Sequence, residues 1–292
     1  MISCASVERN SHCPYPCDSV ANLTKPICCM NHFDFFDNLM LIEGCFFVND
    51  ISEKNVDFFV KDEKGCYEKI DSVVLSKACD KVFFKYERML GKEDASVEFF
   101  YFVDEKMHPF PRITLGLWTP FNNMETSYYY KKGYVATANG GKISTRYISW
   151  LKHLVYQEKY MRALNKKAKT DGVAKQSYSL RRLYNVMKFF YPSQNIKIVM
   201  DRYLTEGDKG IACYNRLAED ADAKVYFAVD ASKRSSLPLP SDRIVLTGSR
   251  KYKRLLLCAQ TVVYSPLDSK ETFFIEPTYI KDILARKWYS VL

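Results

Sequence analysis

At Trp150 the spacing of apolar residues changes, and that change divides the chain into parts that must fold differently. Ahead of it, apolar residues come in short runs or alternate with polar ones. Met40, Ile42, Phe46 and Val48 fall on one face of a strand, and Phe58–Val60, Val73–Leu75, Val82–Phe84 and Val97–Val103 are further runs. Turns rich in Asp, Glu, Lys and Gly separate them, which predicts an antiparallel β-sandwich over residues 36–148. Asn139-Gly140 lies between Tyr134–Ala138 and Lys142–Tyr147 and predicts a hairpin, because both turn positions need positive φ. Residues 1–35 read as a poorly ordered leader.

From Trp150 the period is helical: Trp150, Leu151, Leu154, Val155, Met161 and Leu164 recur as one stripe. Gly172 interrupts it, and a second helix is expected from about Ser179 to the residues before Pro192. Residues 149–191 therefore read as a basic amphipathic helical linker. Beyond Pro192, strands alternate with helices. Strands are expected at Ile196–Met200, Val225–Val229, Ile244–Leu246 and Thr261–Tyr264, and helices at Gly207–Glu219, from Gly248-Ser249 through Leu257, and from Pro277 to Trp288. A last strand begins at Tyr289. This alternation implies a parallel, Rossmann-like sheet over residues 192–292. The expected fold is thus α/β plus β.

The charge is concentrated. Of a net +9, the segment Ser149–Phe190 carries ten Lys/Arg against Glu158 and Asp171, an excess of eight. Such a segment suits an anionic surface. Either Trp150, Lys152, Lys159, Arg162, Lys166 and Lys167 dock on anionic membrane, with Trp150, Tyr156 and Tyr160 at the headgroups, or the apolar stripe packs on a domain and the lysines are solvated. No nucleic-acid-binding motif accompanies the charge, so nucleic acid is not expected as a partner. No apolar stretch approaches the length of a spanning helix and no secretory signal is evident, so a cytoplasmic location is expected.

Among the ten cysteines, Cys45, Cys66, Cys79, Cys213 and Cys258 sit among apolar residues and read as small buried hydrophobes. Cys13, Cys17, Cys28 and His32 have a spacing that either holds a tetrahedral zinc or belongs to a metal-free leader. There is no phosphate-loop lysine motif, no Gly-x-Gly-x-x-Gly and no nucleophile elbow, and no cofactor is expected. Gly248-Ser249-Arg250 at a helix start offers free N–H groups to an anion, or is an ordinary Ser-capped turn. Asp201, Arg202, Glu206 and Asp208 follow the first strand of the α/β part, where ligands of open sheets often bind.

The ordered set Asp201-Arg202, Glu206-Gly207-Asp208, Ala223–Val229, Ile244–Ser249 and Lys251–Leu256 resembles the CDP-glycerol glycerophosphotransferases, which build poly(polyol phosphate) wall polymers. The resemblance covers about residues 190–292. It implies a two-lobed GT-B fold of which these residues form most of the first lobe. It also implies a lipid-linked polyol-phosphate acceptor, a CDP-polyol donor held by the second lobe, and work at the inner face of the cell membrane. In that family a His-Gly pair follows the next strand and its histidine is taken as the base. The last histidine here is His153, so that role is not carried over, and the chain alone is expected to be inactive. The alternative expectation is a non-catalytic module that binds glycan or membrane.

Overall fold

Ten residues from Ile27 to Phe36 form β1, a strand buried along almost its whole length, and it pairs antiparallel with β2 (Leu39–Phe47). The computed structural model describes residues 26–47, 56–71, 73–76, 81–116, 119–170, 174–187, 195–200, 209–232, 237–264, 279–284 and 288–291. Residues 27–35 were expected to belong to a leader; they are instead core strand. The reason is a bulge between Met30 and His32. It inserts Asn31 and breaks the alternation that marks a strand.

The sandwich follows from the remaining short strands, which are β3 (Asp57–Asp62), β4 (Tyr67–Lys69), β5 (Val73–Ser76), β6 (Lys81–Met89), β7 (Ala95–Val103), β8 (Lys106–Pro109), β9 (Ile113–Leu115), β10 (Tyr129–Lys131), β11 (Tyr134–Asn139) and β12 (Lys142–Tyr147). One sheet has the order β5-β6-β2-β1-β9; the other runs β10-β11-β12-β7-β3-β4, with β8 also on β7. Every pairing is antiparallel except β1 with β9. Phe46 of β2 stacks on Phe58 (4.2 Å between centroids), Phe84 (4.3 Å) and Phe110 (5.1 Å), and joins the two sheets. Each such ring pair adds about 0.5–1.5 kcal/mol beyond its burial. The β11–β12 hairpin turns on Gly140-Gly141, one residue later than the Asn-Gly pair predicted: Asn139 still pairs with Lys142, and Gly140 takes the positive φ (+59) that a two-residue turn opening on glycine needs.

Helix α1 (Trp150–Thr170) begins where the Ser149 hydroxyl accepts the Lys152 N–H (3.4 Å). Helix α2 runs Ala174–Met187, so Ser179, expected as a cap, lies inside it. The chain divides into two units, one ending at Ala163 and the other beginning at Leu164.

In the second unit, β13 (Asn195–Met200), α3 (Lys209–Ala218), β14 (Ala223–Val229), β15 (Ile244–Leu246), α4 (Arg250–Cys258), β16 (Thr261–Tyr264), α5 (Lys281–Leu284) and β17 (Trp288–Val291) follow in turn. The sheet order is β15-β14-β13-β16-β17, and every pairing is parallel. The chain steps outward from β13 to β15, then returns to the other side of β13. Val199, Val225, Phe227, Val229 and Val263 pack with Tyr214 of α3 on one face. The alternate residue Met200 accepts the Tyr252 hydroxyl of α4 (3.6 Å to Sδ), which puts α4 on the opposite face. Trp288, expected to end a helix, starts β17. Pro277 lies outside the described residues.

Candidate functional site

Where a parallel sheet reverses its direction of winding, the loops after neighbouring strands part and leave a crevice at the carboxyl edge. Here the reversal falls between β13 and β16. Asp201, Arg202, Glu206 and Asp208 follow β13 directly but lie outside the described residues. Gly248, Ser249 and Arg250 lie at the same edge, after β15. Gly248 has φ +74, a left-handed conformation that glycine adopts without strain. The turn is closed by the Ser249 N–H on the Leu246 carbonyl (3.1 Å).

Ser249 caps α4 in an extended conformation. Its hydroxyl accepts the Tyr252 N–H (3.1 Å) and its carbonyl accepts the Lys253 N–H (3.0 Å). The Arg250 and Lys251 amides therefore remain as the helix-start donors without an intrahelical acceptor. The Arg250 side chain is exposed, and no described carboxylate pairs with it. Lys251 is turned aside: its ammonium donates to the Asp242 carbonyl (3.0 Å) and lies 5.4 Å from the Tyr226 ring.

Three neighbours were not among the candidate site residues. Thr247 donates its hydroxyl to the Asp230 carboxylate (2.6 Å), which fixes a carboxylate just past β14 beside the Gly248 turn. Lys253, in the first turn of α4, is buried although it is a lysine. A strand-end Asp and an amphipathic-helix Lys carry no spacing signal of their own. Together the edge presents helix-start N–H groups, the Arg250 guanidinium and one anchored carboxylate, a set that can hold a phosphoryl oxygen and orient a hydroxyl.

The basic helix covers part of its apolar stripe and exposes the rest. His153, Tyr156 and Tyr160 of α1 face the first unit, Tyr156 and Tyr160 contrary to the headgroup expectation; of the predicted stripe, Leu164 is buried and Met161 half-buried. His153 stacks on Tyr130 (3.9 Å), and the Tyr160 hydroxyl accepts from the Asn122 amide (2.7 Å). Trp150, Leu151, Leu154 and Val155 are 61%, 69%, 39% and 55% exposed. Lys152, Lys159, Arg162, Lys166 and Lys167 are exposed too, with Arg162 on Glu158 (2.7 Å). Apolar and basic side chains thus share the outer face of the helix. Among the described residues, no helix is long and apolar enough to cross a membrane.

Of the four residues read as possible zinc ligands, Cys28 and His32 are described. Cys28 belongs to the main apolar core, while Cys29 and Cys45 pack on the other side of that sheet. The bulge at Asn31 shifts the alternation, so His32 leaves β1 on the face opposite to Cys28 and the two cannot ligate one ion. Burial, reinforced by Cys45, pushes the Cys28 thiol well up. Cys13 and Cys17 lie outside the described residues. Of the cysteines read as buried, Cys45 is, Cys213 and Cys258 are half-buried, Cys66 is exposed in the β3–β4 turn, and Cys79 is not described.

No family model matches the chain, and no curated protein matches it. Solved structures similar to parts of it include a pullulanase complexed with maltotriose from Anoxybacillus sp. LM18-11, at 12% identity and TM-score 0.16 over 43% of this chain. Another is the chitinase ChiW from Paenibacillus sp. str. FPU-7, a cell-surface-expressed multi-modular enzyme, at 9% identity and TM-score 0.20 over 93% of this chain. The chain spans 22% and 27% of their lengths. Likeness at this level carries no argument about fold or function.

Proposed function

We propose that the chain forms the acceptor-side part of a CDP-glycerol:poly(glycerophosphate) glycerophosphotransferase-like protein of cell-surface polymer synthesis, its parallel sheet being the first lobe of a GT-B fold. The observation that carries this reading is the all-parallel order β15-β14-β13-β16-β17 with a Ser-capped, Arg-bearing helix start at its carboxyl edge. In this reading the α4 amides and Arg250 hold a phosphodiester oxygen of the acceptor, and Asp230 orients a hydroxyl. The reading assigns the donor and the catalytic base to a second lobe and none of that chemistry to the residues here. The protein would sit at the inner face of the membrane, where a lipid-linked acceptor is found.

The test is a pair of titrations of the whole chain, one with a synthetic glycerol phosphate trimer and one with CDP-glycerol. The trimer binds, more weakly as salt rises, and Arg250→Glu removes that binding; CDP-glycerol does not bind. A trimer that fails to bind overturns the reading, as does binding that Arg250→Glu leaves intact.

A second reading is a non-catalytic module held on anionic membrane. The exposure of Trp150, Leu151, Leu154 and Val155 beside Lys152 and Lys159 favours it. It predicts vesicle binding with no affinity for the trimer.

A further inference from the structure

We infer that the β-sandwich carries a second site, in the cleft between β9 and the β11–β12 turn, for a neutral polyhydroxylated ligand the size of one or two sugar rings. This goes beyond the transferase reading and does not depend on it. The cleft has a volume of about 290 Å3 and lies wholly within the first unit. That is at the small end of ligand clefts.

Both walls are held without help from the polar side chains at the mouth. On one side, the Gly140 carbonyl accepts the Ile113 N–H (2.9 Å) and pins the hairpin tip to β9. Gly141 makes this approach possible, since a Cβ there would stand 2.6 Å from the Phe110 carbonyl oxygen. On the other side, Asn122 locks its own loop. Its Oδ1 accepts the Met124 N–H (3.1 Å), its N–H donates to the Ser127 hydroxyl (2.9 Å), and its Nδ2 reaches Tyr160.

Arg112, Asn123, Glu125 and Asn139 complete the lining, and all four are exposed. Among the described residues their side chains make no hydrogen bond or ion pair. The hydrogen bonds hold the two walls in place, and the polar rim is left available to a ligand.

The chemistry of the rim selects its class. Each carboxamide offers a donor and an acceptor side by side, which matches a pair of vicinal hydroxyls. Arg112 and Glu125 oppose each other in sign, so the cleft does not favour a ligand of either charge. Ile113, Leu115 and Ala138 form an apolar floor for the C–H face of a ring.

Saturation-transfer NMR of the whole chain with maltose, cellobiose, chitobiose and sn-glycerol 3-phosphate tests this. At least one neutral disaccharide binds, and it binds more tightly than glycerol 3-phosphate. Asn123→Ala and Asn139→Ala each weaken it about 2- to 10-fold, and the double variant more. Both side chains are exposed, so the variants keep the wild-type unfolding curve. Three outcomes overturn the inference: no disaccharide binds, glycerol 3-phosphate binds best, or the double variant binds as wild type does.

Discussion

Arg181 of α2 clasps Asp282 of α5 in a two-pronged ion pair: Nη2 lies 2.8 Å from Oδ2, and Nη1 bonds to Oδ1 and to the Tyr279 carbonyl (3.2 Å). Both side chains are largely withdrawn from water. Arg181 belongs to the run of positive charge around α1 and α2, yet it is a structural clamp and not a solvated charge. It ties a surface helix to the segment that leads into β17, the last strand of the parallel sheet.

Arg181→Ala is expected to destabilise the second unit by about 3–5 kcal/mol, because it leaves the Asp282 carboxylate withdrawn and unpaired. Arg181→Met with Asp282→Leu should recover much of that loss, since a shape-filling apolar pair avoids the desolvation cost. Denaturant unfolding of the two variants checks this. A loss below about 1 kcal/mol for Arg181→Ala would place the pair among exposed ones.

Gly44 of β2 faces its neighbours too closely for any side chain. An added Cβ would stand 2.2 Å from the Cys29 carbonyl oxygen and 2.8 Å from the Phe84 ring. The first clash is with backbone of β1, which cannot rotate away. Gly44→Ala should cost the sandwich about 1–3 kcal/mol or more, read as a lower thermal midpoint. An unchanged midpoint would mean that β1 and β2 are not in this register.

Glu63 sets an acid limb on sandwich stability. Burial alone would raise its carboxyl, but the Arg88 hydrogen bond, the backbone N–H groups of Glu63 and Ser96 and the Arg88 charge hold it below the usual range. A depressed carboxyl stabilises the fold above its unfolded value, about pH 4.3. That contribution is lost as pH falls through the folded value. Glu63→Gln should therefore lower stability near neutrality and flatten the decline below pH 4.3, as followed by urea midpoints across pH. A variant whose acid limb keeps the wild-type slope would contradict the assignment.

The outer face of α1 makes a separate prediction. Trp150→Ala and Leu154→Ala remove exposed side chains, so folding stability should change by no more than about 0.5 kcal/mol. Cosedimentation with phosphatidylglycerol vesicles should fall about 5-fold for each, and Lys152→Glu with Lys159→Glu should lower it further and remove its salt dependence. Binding that persists in all of these variants would exclude this face.

The legible parts were those in which local chemistry and tertiary packing agree. The β11–β12 hairpin was legible although its turn falls on Gly140-Gly141 and not on Asn139-Gly140, and Ser249 caps the helix that its spacing announced. β13 to β16 stand out as apolar runs because a parallel sheet buries both faces. β1 was not legible, because Cys28, Cys29, Asn31, His32 and Asp34 are polar or ambiguous and the bulge at Asn31 breaks their alternation. Asp34 is buried only because Tyr129 and Lys131 satisfy it, partners about a hundred residues away. The α1 stripe held at Leu164, which is buried, but misled over Trp150–Val155, because period alone cannot tell which face is covered and aromatic stacking on Tyr128 and Tyr130 covers a different one there. Asp230 and Lys253 join the candidate site through tertiary proximity, which spacing does not encode.

Backbone amide NMR of the whole chain during titration with the glycerol phosphate trimer tests the central claim most directly. The Arg250 and Lys251 amides should shift together and saturate, and Arg250→Glu should abolish the response. Shifts confined to the sandwich or to α1, with these two amides unmoved, would contradict it.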